Sequence, residues 1–364
     1  MKKILIFASH TGGGHISLAE AIRDQVKNDY EVVILDPQPR MIHLHYRTVS
    51  RHALWLWRAE FKLTDGTRRA RMAHELSKHT FVVPILRAIR RVKPQLIIST
   101  YPFLTSEVIY AMRLFQIHQP FLMIFSDPNG VHRSWLTEKH AQATFAPTHE
   151  TYQQALASGF DPDRTHFTGW PVRGQFYHVV PIPLSQLGLL ENRFTVFLQG
   201  GGEGAARFAR TVDSLLDMDA VQIILAAGSN DKLYRQFQGK AKVHTLPFTD
   251  EIAPYMAAAD VIMGKAGPNV LFESITLGKP FIATSYIPGQ EEVNLGFIRR
   301  HKLGWIALKN TSQKYIIGLL STDRTLLNKR IQTVKAYRKM NLDATANIPS
   351  LINDFLKENE MLKV

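Results

Sequence analysis

The feature that most constrains this chain is the repeated alternation of short apolar runs with glycine-containing turns and amphipathic stretches. The first run, KILIFA, ends in SHTGGGH, and the stretch from His15 to Asn28 then carries apolar residues near one helical face. Apolar residues that stand together instead of alternating are typical of strands buried in a parallel sheet. Similar runs follow: EVVILD, QLIIST, PFLMIFSD and ATFAPT, then RFTVFLQ, VQIILAA, KVHTL, ADVIMGK and KPFIATS. This alternation predicts α/β architecture with parallel sheets and right-handed crossovers.

The alternation restarts after a proline-rich stretch, which indicates two domains. The chain has 364 residues, more than the roughly 250–300 at which a single core usually stops growing. Residues 168–183, TGWPVRGQFYHVVPIP, have the composition of a linker. We expect two Rossmann-like, doubly wound domains, at 1–170 and 193–345, with a linker at 171–192 and a C-terminal helix at 346–364.

A glycine cluster follows the first strand of each predicted domain. Ligands of doubly wound sheets bind beyond the carboxyl ends of the strands, so we expect both clusters at a cleft between the domains. Glycine lets backbone N–H groups approach a ligand, and the following helix N-terminus favours an anion. The dinucleotide-binding pattern is incomplete, because Ser17 replaces the third glycine of the first cluster and no carboxylate ends the strand after the second. An ordinary strand-to-helix turn is the alternative for each cluster alone.

An ordered series of motifs resembles one group of glycosyltransferases. The series consists of SHTGGGH at 9–15, SDPNGVHRSW at 126–135, APTHE at 146–150, GWPVRGQF at 169–176, LQGGGEG at 198–204 and GKAGPNVLFESITLGKPFIATSYIPGQEEVN at 264–294. The group, similar to glycosyltransferase family 28, contains monogalactosyldiacylglycerol synthases and processive diacylglycerol glucosyltransferases. The resemblance implies the GT-B fold, in which two Rossmann-like domains face a cleft. The chain departs from the group at Val270, where threonine is common, and in GSNDKL, where an arginine often follows the glycine.

The resemblance implies a UDP-sugar donor bound by the second domain. Glu273, in the first turns of the helix after the AGP turn, would accept hydrogen bonds from both ribose hydroxyls. Gly201, Gly202 and the backbone around Gly267 would hold the diphosphate through N–H groups and helix dipoles. Lys265 would add a positive charge.

The remaining motif residues concern the donor sugar and the reaction. Gln290 and Glu291 resemble the pair that holds the sugar hydroxyls, and this pair suits glucose or galactose. Transfer needs a base for the proton of the acceptor hydroxyl, and an imidazole beside three glycines can face a cleft without obstruction. We therefore expect His15 to be the base, with Asp127 as the competing base or as the group that orients a histidine, and His132 at the acceptor entrance. A helix-capping or structural role is the alternative for His15.

Residues 40–93 concentrate positive charge. They hold thirteen Lys or Arg and three Asp or Glu, a net +10 of the chain's +13. Cations interleaved with large aromatic residues suit an anionic surface, and we favour a membrane over nucleic acid. A solvated helical face is the alternative. The side chains expected to meet the membrane are Trp55, Trp57, Arg68, Arg69 and Arg71. The two tryptophans lie two residues apart, so on a helix one would pack inward.

We expect no metal ion and no cofactor. The chain has no cysteine, which excludes thiolate ligands and disulfides. Asp217 and Asp219, in the triplet DMD, precede a strand, at its amino end and away from the predicted cleft. The N-terminal apolar run is too short for a signal peptide, and no stretch approaches the ~18 apolar residues of a membrane span.

These observations predict a cytoplasmic enzyme attached peripherally to the inner face of the cell membrane. It would move a hexose from a UDP-sugar to a lipid acceptor, diacylglycerol first among the candidates, with inversion at the anomeric carbon. The alternatives are another lipid or polyprenyl acceptor, a related nucleotide-sugar reaction, and a non-catalytic lipid- or nucleic-acid-binding protein.

Overall fold

Two parallel six-stranded sheets organise the protein in a computed structural model that describes residues 1–11, 13–199 and 208–361. Contacts divide the chain into two compact units. The first unit comprises Met1–Arg173, Pro288–Val293 and Met340–Val364, and the second comprises Gly174–Ile287 and Asn294–Lys339. The expected fold class, two doubly wound α/β domains, is confirmed.

All strand pairs of the first sheet are parallel, in the order β2-β1-β3-β4-β5-β6. The strands are β1 (Lys2–Phe7), β2 (Tyr30–Leu35), β3 (Leu96–Ser99), β4 (Phe121–Ile124), β5 (Ala143–Ala146) and β6 (Thr165–Phe167). The four residues from Ile4 to Phe7 are fully buried, although successive side chains of a strand point to opposite faces. Burial on both faces explains why the sequence of β1 is apolar without alternation.

Helices cover the first sheet and occupy most of the basic segment 40–93. They are α1 (Gly14–Val26), α2 (Arg40–His52), α3 (Leu54–Thr64), α4 (Thr67–Val92), α5 (Pro102–Leu114), α6 (Arg133–Leu136) and α7 (His149–Ala157). Buried residues of α4 and α5, among them Ile85 and Val108, pack in one cluster with Leu5 and Phe7 of β1. Within the described ranges, no helix is both long enough and apolar enough to cross a membrane.

The second sheet has the order β12-β11-β10-β7-β8-β9, also parallel throughout. Its strands are β7 (Phe194–Gln199), β8 (Val221–Ala226), β9 (Val243–Leu246), β10 (Val261–Lys265), β11 (Phe281–Ser285) and β12 (Gly304–Ile306). Numbered from β7, this is the 3-2-1-4-5-6 order of the Rossmann fold, whose order reverses at its first strand. The reversal between β7 and β10 marks the expected ligand position.

The remaining helices follow these strands. They are α8 (Phe208–Leu216), α9 (Asp231–Phe237), α10 (Ala253–Ala258), α11 (Pro268–Thr276), α12 (Glu292–Arg300), α13 (Asn310–Thr322), α14 (Arg324–Thr345) and α15 (Ile348–Met361). The end of α14 belongs to the first unit, where Asn341 pairs with both backbone groups of Trp170: its Oδ1 accepts from the Trp170 N–H at 2.8 Å and its Nδ2 donates to the Trp170 oxygen at 3.0 Å. The change of unit after Arg173 falls within the linker expected at 171–192.

Two strands were missed by the sequence analysis. Both β6, with the sequence THF, and β12, with GWI, have three residues at a sheet edge. A three-residue run is too short to show the periodicity or the apolar continuity that identifies a strand. Their pairing comes from the neighbouring strand, which sequence inspection does not reveal.

Candidate functional site

The carboxyl end of the first sheet brings His15 against the residue that follows β3. The strand order reverses between β1 and β3, which is where doubly wound sheets bind their ligands. The Thr100 N–H donates to the Phe7 oxygen at 3.0 Å, so the chain leaving β3 stays beside the chain leaving β1. A turn at Gly13, with φ of 72°, then starts α1, and His15 is its second residue.

Hydrogen bonds to Thr100 fix the His15 ring. Nδ1 of His15 lies 2.9 Å from the Thr100 carbonyl oxygen, and the Thr100 hydroxyl donates to the His15 carbonyl at 3.2 Å. A carbonyl oxygen only accepts, so Nδ1 carries the proton and Nε2 keeps its lone pair. Burial lowers the pKa of His15 to about 4, so the ring is neutral at pH 7.

Tyr101 supports this arrangement from the side. Its ring meets the His15 ring edge-to-face, with centroids 4.7 Å apart. Burial raises the pKa of Tyr101 to about 12, and its hydroxyl is hydrogen-bonded to Gln38 and Thr11. Tyr101 therefore stays protonated at any pH at which the protein would work.

Asp127 lies at the same edge of the sheet, three residues beyond β4. Strands β1, β3 and β4 are consecutive in the sheet, and neighbouring strands are ~4.8 Å apart, so the ends of β1 and β4 are separated by roughly 10 Å. Burial raises the pKa of Asp127 to about 6, although the His132 N–H, 3.4 Å from Oδ2, favours its charged form. With a pKa of about 6 the carboxylate is mostly ionised at pH 7, so both predicted bases can accept a proton.

His132 is buried and caps the start of α6. Its Nδ1 accepts from the Ser134 N–H at 3.2 Å, which caps α6, and its Nε2 lies 3.5 Å from the Thr64 hydroxyl. The ring of Phe61 meets it edge-to-face at 4.7 Å. Burial lowers the pKa of His132. Its predicted contact with the acceptor stays a prediction.

In the second unit, three of the predicted nucleotide residues lie at the turn between β10 and α11 or in α11 itself: Lys265, Gly267 and Glu273. The Ala266 N–H donates to the Ser285 oxygen at 2.8 Å, and Asn294 Nδ2 donates to the Ala266 oxygen at 2.8 Å. Gly267 precedes α11 without a side-chain cap, and the first N–H groups of a helix have no partner within it, which suits an anion. Lys265 ends β10 just before this turn.

Glu273 is the sixth residue of α11 and only 3% exposed. A carboxylate at such a position needs hydrogen-bond donors to offset the loss of water. Gly201 and Gly202, the other predicted diphosphate residues, lie outside the described residues. The strand before them approaches β10 closely, because a Cβ added to Gly264 would lie 2.6 Å from the Gln199 oxygen.

Gln290 and Glu291 lie in the segment Pro288–Val293, which is grouped with the first unit, apart from Lys265, Gly267 and Glu273 of the second. Glu291 is 4% exposed. The Gln290 Oε1 atom is buried and has no hydrogen-bond partner among the described residues. A buried amide oxygen left unpaired costs about 1–3 kcal/mol, which a ligand hydroxyl would offset.

The predicted membrane residues lie on the helices of the basic segment. Trp55 is 75% exposed, while the Trp57 ring packs edge-to-face on Tyr46 with centroids 5.0 Å apart, so the two tryptophans point in different directions. Arg68, Arg69 and Arg71 are all exposed at the start of α4.

The DMD triplet lies between α8 and β8, at the amino end of the strand as expected. Its carboxylates pair with lysines: Asp217 Oδ2 is 3.2 Å from Lys314 Nζ, and Asp219 Oδ1 is 3.5 Å from Lys242 Nζ. Across the described residues, no cluster of three or more His, Asp or Glu side chains could hold a metal ion. That the reaction needs no metal stays a prediction.

Sequence reasoning missed Thr100 and Tyr101, which orient the His15 ring. The available signal was topological, because both follow the strand that pairs with β1. A prediction of the sheet order would have placed them beside the glycine turn.

Solved structures with very different sequences share this architecture. The glycosyltransferase of kitacinnamycin superimposes with a TM-score of 0.64 at 12% identity, covering 98% of this chain and 99% of that one. MurG of Acinetobacter baumannii gives 0.62 at 14% identity over 98% and 100%. A UDP-GlcNAc 2-epimerase of Neisseria meningitidis, bound to UDP-GlcNAc, gives 0.60 at 12% identity over 98% and 100%. The chain therefore has the GT-B fold of the glycosyltransferases, which the epimerase also shares.

Family comparisons define the group. The model for monogalactosyldiacylglycerol (MGDG) synthase matches residues 15–172, and the model for the glycosyltransferase family 28 C-terminal domain matches residues 195–314. These matches confirm the resemblance, found in the sequence, to the glycosyltransferase group of the monogalactosyldiacylglycerol synthases.

Plant proteins are among the relatives of the chain. It is 29% identical over 331 residues to the probable chloroplastic monogalactosyldiacylglycerol synthase of Nicotiana tabacum, covering 83% of this chain and 61% of that protein. It is 29% identical over 325 residues to the chloroplastic monogalactosyldiacylglycerol synthase 3 of Arabidopsis thaliana, covering 82% and 70%. The chain thus spans 61% and 70% of the length of these two relatives.

The role of Glu273 is tested by Glu273→Gln, which keeps the shape of the side chain and removes its charge. If the carboxylate binds the ribose, the loss of a charge-assisted hydrogen bond should cost about 1.5–3 kcal/mol, roughly a 10- to 150-fold weaker affinity for UDP by calorimetry. The exposed Glu251→Gln in the same unit is the matched control. Equal UDP affinity in a folded Glu273→Gln variant would remove Glu273 from the nucleotide site.

Proposed function

We propose that this protein transfers a hexose from a UDP-sugar to the free hydroxyl of diacylglycerol at a membrane surface, with inversion at the anomeric carbon. The observation that carries the proposal is the match of the MGDG synthase family to residues 15–172, the part of the chain that holds His15, Thr100 and Asp127. The family 28 match to residues 195–314 supports a nucleotide-sugar donor.

His15 supplies the proton acceptor that this reaction needs. The acceptor oxygen attacks the anomeric carbon, the bond from that carbon to the diphosphate breaks, and UDP leaves with the electron pair. The proton of the attacking hydroxyl passes to Nε2 of His15, while Nδ1–H stays bonded to Thr100. Because the attacking oxygen becomes acidic as it bonds to carbon, an imidazole of lowered pKa can accept its proton.

Asp127 is the competing base. Its pKa, raised to about 6, leaves a carboxylate at neutral pH that could accept the same proton. The His132 N–H is 3.4 Å from the Asp127 carboxylate, a longer hydrogen bond than the 2.9 Å one between His15 Nδ1 and the Thr100 oxygen, and the Trp135 side chain is a further donor to Asp127. We therefore assign the base to His15 and expect Asp127 to stabilise the positive charge that develops on imidazole.

The nucleotide part of the donor is assigned to the second unit. The uncapped start of α11 and the charge of Lys265 suit a diphosphate, and the buried Glu273 carboxylate suits a pair of ribose hydroxyls. Gln290 and Glu291 suit the hexose. Neither residue distinguishes glucose from galactose.

A bilayer acceptor requires the protein to reach the membrane, and the basic segment suits this contact. Large apolar side chains are exposed on all three of its helices: Met41, Leu44, Trp55, Leu63 and Met72. Exposed cations accompany them at Arg40, Arg58, Lys62, Arg68, Arg69 and Arg71. A merely solvated helical face would not expose so many apolar side chains among its cations. We propose peripheral attachment to the anionic inner face of the cell membrane, without a nucleic-acid partner.

The base assignment predicts unequal losses of activity in two variants. His15→Ala should lower kcat by ~10²–10⁴-fold, the usual contribution of a general base, with little change in UDP affinity. Asp127→Asn should lower kcat less than His15→Ala does. The assay measures labelled hexose transferred from UDP-glucose and from UDP-galactose to diacylglycerol in vesicles, and His10→Ala, exposed in the same loop, is the control.

Three outcomes would change this account. If Asp127→Asn abolishes transfer while His15→Ala keeps it, the base is Asp127. If hexose is transferred to a polyprenyl phosphate but not to diacylglycerol, the proposed acceptor is wrong. If UDP-GlcNAc is epimerised at C2 and no hexose is transferred, the protein performs the reaction of its epimerase-like structural neighbour.

The membrane contact predicts a position-dependent effect of charge. Changing Arg68, Arg69 and Arg71 together to Gln should weaken binding to anionic vesicles at low salt by roughly 10- to 100-fold, because each cation near an anionic leaflet contributes about 1 kcal/mol. Removing three charges at Arg87, Arg90 and Arg91 should weaken vesicle binding much less, because these residues lie about 30 Å further along α4. Cosedimentation measures binding, which should also fall as salt rises. If vesicle binding changes neither with salt nor with the triple change at Arg68, Arg69 and Arg71, this surface is not the membrane contact.

A further inference from the structure

The two sides of helix α3 have different surroundings: one is exposed, and the other carries a partly buried aromatic ring. Trp55, Lys62 and Leu63 are exposed and lie near one face, because residues seven or eight apart return to the same side of a helix. Phe61 is partly buried on the other side. The same short helix thus presents an outer face proposed for the membrane and an inner aromatic ring.

The Phe61 ring lies against the segment Pro288–Val293, here called the 288–293 turn. Gly289 has φ of 87°, and a Cβ added there would lie 3.1 Å from Cδ1 of Phe61. That distance is tighter than ordinary contact between side chains, so the backbone of the turn can approach the ring only because residue 289 is glycine. The Phe61 ring also contacts the His132 ring, with centroids 4.7 Å apart.

Further contacts hold the turn in the first unit. Asn129 Nδ2 donates to the Val293 oxygen at 3.0 Å, and Arg58, on α3, pairs with Glu292 at 3.7 Å. These two contacts involve the last two residues of the turn, Glu292 and Val293. Near its start, Gly289, next to Gln290, lies against the Phe61 ring.

We propose that Phe61 is a positioning residue for the donor sugar. Its ring sets the backbone of the 288–293 turn, and thereby places the unpartnered Oε1 of Gln290 and the buried carboxylate of Glu291 where they bind the hydroxyls of the hexose. The inference rests on the proposed function. It makes α3 the element that joins the membrane-facing surface to the sugar-binding residues.

The first test compares Phe61→Ala with the conservative Phe61→Leu and with Leu63→Ala, which removes an exposed side chain from the same helix. Hydrogen–deuterium exchange of the amides in the 288–293 turn should be about tenfold faster in Phe61→Ala, as expected when an aromatic contact is lost. Phe61→Leu should restore part of the protection, and Leu63→Ala should exchange like the unchanged protein.

The second measurement separates positioning from folding. In Phe61→Ala, kcat/KM for the UDP-hexose should fall about tenfold, while the dissociation constant of UDP, which lacks the hexose, stays within about twofold. Phe61→Leu keeps an apolar side chain without the ring and should give the same pattern at reduced size, which keeps the test available if Phe61→Ala does not fold.

The outcomes distinguish this inference from the proposed function. Unchanged exchange of the turn in Phe61→Ala, equal effects of Leu63→Ala, or a parallel loss of UDP affinity would overturn the role of Phe61. A protein that transfers no hexose at all contradicts the proposed function, and in that case the exchange measurement still decides whether Phe61 holds the turn.

Discussion

The hydrogen bond between Nδ1 of His15 and the Thr100 carbonyl is the interaction on which the proposed chemistry depends. It exists because β1 and β3 pair in parallel, with Phe7 opposite Ser99, so that the residues leaving both strands meet at one edge of the sheet. The backbone carbonyl has no proton to give, and it therefore decides which ring nitrogen keeps a lone pair. The topology of the sheet thus determines the tautomer of the His15 ring.

In the second unit, a reversal of strand order also brings the proposed ligand-binding residues to one edge of the sheet. Its strand order also reverses at the first strand, between β7 and β10, and Lys265 and Gly267 follow β10 at that point. The close approach of Gly264 to the Gln199 oxygen leaves no room for a side chain there. In the proposed account, one reversal presents a base and the other presents backbone N–H groups and a cation.

Much of this could be predicted from the sequence, because the long apolar runs, the glycine clusters and the ordered motifs are local signals. They were sufficient for the two α/β domains, for ten of the strands and for the position of Glu273 in a helix after a glycine turn. The contacts of His15 with Thr100 and of Phe61 with Gly289 join residues 85 and 228 positions apart. No spacing rule within one sequence reveals such pairs, since they depend on strand order and on where a loop returns. The grouping of the 288–293 turn with the first unit was hidden for the same reason.

The protonation state of His15 is the most direct test of the central claim that a neutral imidazole with a free Nε2 serves as the base. Nitrogen-15 NMR of the imidazole rings, with the His15 signals assigned by their absence in His15→Gln, reports both the tautomer and the titration. The account predicts a neutral ring protonated on Nδ1 from pH 8 down to about pH 5, since burial lowers the pKa of His15 to about 4. An imidazolium that forms near the ordinary histidine pKa of about 6.5, or a ring protonated on Nε2 at pH 7, would contradict it.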